Sequence, residues 1–141
     1  MTITKSHKAY FEAARAVAQL SDFPKVQIGC VAVSGHHLVS SGCNSTRTDT
    51  LQKKYNKYRF TEDDSKTMHC QHAELACLKP LMGRKDIEFK NIELYVHRQY
   101  KNGDLALARP CPSCMALIKS LGIRHLYYTG SNSYINEELI Y

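Results

Sequence analysis

Apolar side chains recur along this chain in two different rhythms. Ala9, Ala13, Ala16, Val17 and Leu20 fall three or four residues apart, which keeps them on one helical face and predicts an amphipathic helix over residues 6–20, ended by the cluster Ser21, Asp22, Phe23, Pro24. Two β-branched-rich runs, 26–33 and 38–43, follow and are joined through Ser34 and Gly35, predicting a strand hairpin. Residues 44–71 are polar and carry no period; a connection of that length predicts either function or a short internal helix. Helical spacing returns at 72–81, with Ala73, Ala76 and Cys77 on one face and Pro80 and Gly83 near the end. Residues 92–100 read as a strand, and the Asn102-Gly103 turn signal predicts an antiparallel return over 104–108. Met115, Leu117, Ile118 and Leu121 place a helix on 111–121 that stops at Gly122, and 123–128 reads as a further strand. The tail after Gly130 fits neither rhythm. Helices alternating with strands predict the α/β class, a three-layer α/β/α arrangement with a mixed central sheet that is parallel wherever a helix crosses between strands.

Composition narrows this without changing it. A chain of 141 residues, 43% apolar and 23% charged, predicts one domain over 1–141 with a core, and argues against disorder, collagen-like repeats and coiled coil. Neither an internal repeat nor a low-complexity linker divides it. Nineteen Lys and Arg against 13 acids give a formal charge of +6, which suits an anionic partner such as a nucleotide or nucleic acid. Arg47, Lys53, Lys54, Lys57 and Arg59 against Asp49 supply four of those six charges, with Tyr55, Tyr58 and Phe60 interleaved. That segment either holds a substrate phosphate, tracks a single strand by stacking, or is a solvated helix with its tyrosines packed inward; Glu62, Asp63 and Asp64 soon dilute its charge. The first 20 residues mix charged and apolar positions, unlike an export signal or a membrane span. A cytoplasmic, reducing location with no membrane partner is therefore expected, where close cysteine pairs bind metal or do redox work more often than they form bridges.

Two segments carry chemistry, His72-Ala73-Glu74 and Pro110-Cys111-Pro112-Ser113-Cys114. Cys111 and Cys114, three apart in a first helical turn, point the same way, and a helix N-terminus favours the thiolates that zinc needs. His72 supplies a third ligand, and three protein ligands leave the fourth tetrahedral position for water, the mark of a catalytic zinc. A fourth ligand from Cys43, Cys70, His69 or His97 would instead make a structural knuckle, and the two cysteines alone would make a redox pair. Glu74, two residues beyond His72 and about 200° around a helix, is poorly placed to ligate but able to face the water and act as a proton shuttle; otherwise it is a capping carboxylate. Arg109 and Arg98 are candidate phosphate contacts. Cys30 and Cys77, in apolar runs, read as core.

At these residues the sequence resembles the cytidine and deoxycytidylate deaminase superfamily, whose His-x-Glu and Pro-Cys-x-x-Cys signature is the general pattern of zinc deaminases. The order of elements matches that family over most of the chain. The resemblance implies Zn2+ held by His72, Cys111 and Cys114, Glu74 as general acid and base, and Asn44 against the substrate, although a turn asparagine after a strand needs no substrate. It also implies that backbone near Ala73 or Cys111 fixes the base. A histidine as first ligand is more like the deoxycytidylate, guanine, tRNA-adenosine or polynucleotide-cytosine deaminases than the free-cytidine enzymes. The implied reaction is hydrolytic deamination of a cytosine-type base in a nucleotide, dCMP to dUMP with release of ammonia. The alternatives are the same chemistry on cytosine or adenine in RNA or single-stranded DNA, and a non-catalytic zinc-binding protein of the same fold. A homo-oligomer and a second, structural zinc are further implications. The chain departs from the family in the connection before His72, in a longer stretch over 97–109, and in a short tail.

Overall fold

Thr4 starts the first helix of the computed structural model, which describes residues 3–59 and 70–139. Its hydroxyl accepts from the His7 backbone N–H at 3.2 Å while the His7 ring accepts from the Thr4 N–H at 3.1 Å, so two orphan donors are satisfied and helix α1 runs Lys5–Ala18, one residue earlier than its apolar stripe predicts. The hairpin follows as β1, Val26–Ser34, and β2, His37–Cys43. Gly35 and His36, at φ +54° and +68°, make the turn; left-handed backbone at both central positions matches the twist of the strands. The long connection contains the internal helix its length predicts, α2 at Thr50–Tyr55, capped by Asp49, with a 3-10 turn over Asn56–Arg59. Phe60, Glu62, Asp63, Asp64 and His69 lie outside the described residues.

Helix α3, Ala73–Leu78, and a 3-10 turn Lys79–Leu81 cover the helical stretch predicted for 72–81. Strand β3 is Ile92–Tyr100, helix α4 is Pro112–Leu121 ended by Gly122 at φ +88°, and β4 is His125–Thr129. The return predicted over 104–108 does not form a strand. The turn exists, with the Tyr100 N–H bonded to the Asp104 carbonyl and a single antiparallel bridge from Gln99 to Leu105. The Ala106 N–H still donates to the Arg98 carbonyl of β3, while the Ala106 carbonyl accepts from the Thr129 hydroxyl and the Ala108 N–H donates to the Thr129 carbonyl at the end of β4, which draws the chain toward the start of α4. The ambiguous tail forms β5, Tyr134–Glu138, antiparallel to β4.

The sheet order is β2-β1-β3-β4-β5, and only β3 and β4, joined through α4, run parallel. Alternation puts Val31, Val33, Tyr95 and Tyr127 on the face covered by α1 and Phe11, while Cys30, Ala32, Leu94, Val96 and Leu126 face α3 and α4. This is the predicted three-layer arrangement. Cys30 and Cys77 are fully buried in the second core. No helix among the described residues is long and apolar enough to cross a membrane.

One glycine fixes how close α3 comes to the sheet. A Cβ on Gly42 would lie 2.5 Å from the Cys77 backbone nitrogen and 2.7 Å from Ala76, so Gly42→Ala must push away the helix that follows His72. We expect a loss of about 1–3 kcal/mol in urea unfolding of the zinc-free chain, the usual range for overpacking. Gly83→Ala, with no atom within 4 Å of the added carbon, serves as the neutral control.

Candidate metal centre

His72 and Cys111 occupy equivalent places, each the N-cap residue of its helix with extended backbone, and neither side chain caps its own helix. The two helix starts converge at the same edge of the second core. His72 Nδ1 lies 3.2 Å from Cys114 Sγ and 3.5 Å from Cys111 Sγ, and the three donor atoms all lie within 4.8 Å of one another. Typical zinc bond lengths at tetrahedral angles require N···S separations of about 3.5 Å, so this donor set fits zinc. Among the described residues no fourth His, Cys, Asp or Glu joins the group.

Of the alternative fourth ligands, the three within the described residues sit elsewhere. His97 pairs across the sheet with Gly29, whose face is closed by α1 at Ala14 and Ala18; there its Nε2 meets Gln99 Oε1 at 2.7 Å. Cys70 donates toward the Thr46 carbonyl at 3.4 Å, and Cys43 at the end of β2 is outside the group.

The two cysteines share their protonation unequally. The Cys114 thiol donates to Cys111, which together with His72 and the Cys114 backbone N–H pulls the Cys111 thiol down to about 3 against the opposing effect of its burial. Cys114 is raised by that same bond, by burial and by the charge of Glu74. The downward direction at Cys111 is the one that a metal-binding thiolate requires.

Glu74 is 5% exposed. Burial pushes its carboxyl above the usual range, opposed chiefly by the charge of His72, and the Cys114 thiol is within hydrogen-bond reach of it. A helical count of 200° from His72 sends Glu74 away from the cysteines, but His72 precedes the helix with φ −81° and ψ 156°. The 100° step therefore begins only at Ala73, and Glu74 comes round to the same side as the imidazole. Ala73, fully buried, is the first residue of α3, where backbone N–H groups have no partner within the helix.

The remaining candidates are held by other partners. Asn44 continues the β1–β2 ladder with its side chain, accepting from Ile28 N–H at 2.9 Å and donating to the Val26 carbonyl at 3.0 Å; that holds the loop after β2, as a turn asparagine does. Arg109 makes a two-armed ion pair with Glu137, both contacts at 3.0 Å, and Glu137 also accepts from Tyr128. Arg109 lines an open cleft of about 380 Å³ with Tyr58, Pro112, Met115, Ala116 and Lys119. Arg98 reaches the Leu107 carbonyl at 3.5 Å. In the basic segment Tyr55 packs on the core and meets Ser120, whereas Tyr58 remains exposed beneath Lys57.

Hydropathy gives no warning of a buried polar group beside the ligands. Gln52, on α2, donates to Asn56 Oδ1 at 2.9 Å and to Ser113 Oγ at 3.1 Å, accepts from the His72 backbone N–H at 3.0 Å, and Ser113 donates to Asn56 Oδ1 at 3.1 Å. The only sequence signal is the four-residue spacing of Gln52 and Asn56, one face of a turn.

Comparison with known proteins agrees with this geometry. A family model described as the cytidine and deoxycytidylate deaminase zinc-binding region matches residues 4–130. No curated protein sequence matches. Among solved structures, the dCMP deaminase from cyanophage S-TIM5 in complex with dCMP and dUMP is similar over 91% of this chain and 83% of its own, with a TM-score of 0.63 and 20% identity. The cytidine deaminase from Burkholderia pseudomallei is similar over 98% of this chain and 93% of its own, with a TM-score of 0.60 and 21% identity. Likeness at these identities establishes the fold.

Proposed function

The chain belongs to the cytidine and deoxycytidylate deaminase family, and from that premise we propose that this zinc-dependent deaminase acts on a cytosine-type base in a free nucleotide, with dCMP as substrate and dUMP and ammonia as products. The observation that carries the reading is the three-ligand group with a buried carboxylate turned toward it.

His72, Cys111 and Cys114 would hold the zinc, which with an open position would acidify a water toward neutral pH and so supply the nucleophile. Glu74 takes the proton from that water on its carboxylate. It passes that proton to the ring nitrogen of the base, then takes the second proton from the hydroxyl left on the ring carbon and passes it to the departing amine, so both protons of the water are used and the products are a ring carbonyl and ammonia. The first amides of α3, at Ala73, orient the base. Asn44 holds the wall after β2 in place and keeps a second amide hydrogen for the substrate.

The nucleotide preference rests on charge. Arg109, fixed by Glu137, and Lys119 flank one cleft two residues from Cys111 and suit a phosphate. The cyanophage enzyme's complex with dCMP and dUMP supports the same choice. Exposed Tyr58 with Lys57 above its ring favours a second reading, a base within a single strand.

Ammonia release across nucleosides, nucleotides and oligonucleotides, with zinc content measured on the same sample, separates the two. dCMP is expected to turn over fastest, with a shallow dependence on salt. Faster turnover of an oligonucleotide, with activity falling steeply as salt rises, would reverse the order of the readings.

A further inference from the structure

Helix α2 comes from the long connection and contributes nothing to the metal group, yet its Gln52 touches both halves of it. We propose that Gln52 is a positioning residue for the zinc site, a buried clamp that sets the separation between the helix start bearing His72 and the helix start bearing Cys111 and Cys114. The proposal rests on the reading of those three side chains as the zinc ligands.

The available donors and acceptors leave Gln52 a single orientation. Both hydrogens of Nε2 are committed, one to Asn56 Oδ1 and one to Ser113 Oγ, and Oε1 accepts from the His72 backbone N–H. Asn56 Oδ1 uses two lone pairs, one for Gln52 and one for the Ser113 hydroxyl. Exchanging the ends of the Gln52 amide would set its oxygen against Asn56 Oδ1 and its NH2 against the His72 N–H, a clash at both ends. Gln52, Asn56 and Ser113 are 0%, 2% and 0% exposed, so none of these groups can turn to water when a partner is lost.

The points of contact decide the consequence. Ser113 lies between the two cysteines. The His72 N–H belongs to the residue whose extended backbone aims the imidazole, which places Nδ1 3.2 Å and 3.5 Å from the two sulfurs. Asn56 braces the clamp from behind, accepting from Gln52 and Ser113 together. Outer contacts of this kind hold ligands in register before the metal arrives, and losing one weakens metal affinity by about 10-fold to 100-fold.

The test reads the metal rather than turnover. In the full chain, zinc affinity is measured by competition with a chromophoric chelator, and the site is loaded with cobalt(II) to record its thiolate-to-metal charge-transfer and ligand-field bands. Gln52→Ala is expected to bind zinc about 10-fold more weakly, with altered cobalt bands. Gln52→Glu retains the acceptor for His72 and loses both donors, so its affinity should fall between alanine and the parent. Affinity within twofold of the parent and an unchanged cobalt spectrum in Gln52→Ala overturn the proposal, even if thermal stability drops. Should Gln52→Ala fail to fold, Ser113→Ala cuts the clamp at its far end and the same two readouts decide. A parent chain without thiolate-to-cobalt bands would instead sink the ligand assignment itself.

Discussion

Glu74→Gln keeps its zinc and loses turnover by about three orders of magnitude, within the range that a positioned proton shuttle supplies. The substitution preserves size and one acceptor, so the pocket keeps its shape; what disappears is the group that takes up a proton and gives it back. A helix-capping carboxylate is the competing role, since Glu74 is the acid in the first turn of α3. The two roles predict opposite changes in stability. As a cap, Glu74 would contribute a few tenths to about 1 kcal/mol through the helix dipole, and glutamine would lower stability by that amount. As a desolvated carboxylate, 5% exposed and with its carboxyl pushed above the ordinary range, it costs the fold free energy. Glutamine should then leave the melting temperature of the zinc-free chain equal to or above that of the parent, a stability sacrificed for function. Kinetics with dCMP, zinc content and melting of the zinc-free chain give three readouts on one variant. Parental turnover would remove Glu74 from the mechanism.

Glu74 also illustrates where sequence reading succeeds and where it stops. The ligand trio is legible because cysteine, proline and histidine spacing leaves little freedom once the helix starts are located. The direction of Glu74 is not legible from a helical wheel, because a wheel drawn from His72 begins one residue before the helix does. β3 is legible because Ile92, Leu94 and Val96 alternate with residues that pack on the other face. β5 escapes notice because an edge strand needs little apolar signal, and Tyr134–Glu138 is only half-buried. The return over 104–108 is partly realised, pairing with β3 from Asp104 to Ala106: a turn signal states that the chain reverses but not how far the pairing runs. Here Thr129 takes the Ala106 carbonyl and the Ala108 N–H and ends it. Gln52 lies beyond any periodicity, since a buried amide in a polar stretch looks the same as an exposed one until its partners, 20 and 61 residues away, are in place.

Cys111→Ala should abolish zinc binding and activity while leaving the zinc-free fold intact, and these two effects together identify what the residue is for. The side chain meets no geometric criterion for a cap of α4 and touches that helix only through the Cys114 thiol and, least of its contacts, the Cys114 backbone N–H, so its removal should cost α4 little; it is only partly buried. With one ligand lost, His72 and Cys114 hold metal weakly, and zinc should escape on dialysis. The parent provides the scale: a metal present at about 1,000 times its dissociation constant stabilises the folded state by about 4 kcal/mol. For a chain of 141 residues that corresponds to a melting shift of roughly 10 °C. The parent should therefore lose that increment on chelation, whereas Cys111→Ala should melt near the chelated parent with or without added zinc. A redox pair predicts something else: chelation would leave the parent's melting unchanged, and an oxidant would join Cys111 to Cys114. A four-ligand structural knuckle predicts that zinc-free protein unfolds outright. The open three-ligand site is expected between those limits, because it adjoins the main core: Ala73 and Met115 pack there with residues of α3, α4 and the sheet, and Cys114 is buried beside them, so apolar burial as well as zinc holds the two helix starts.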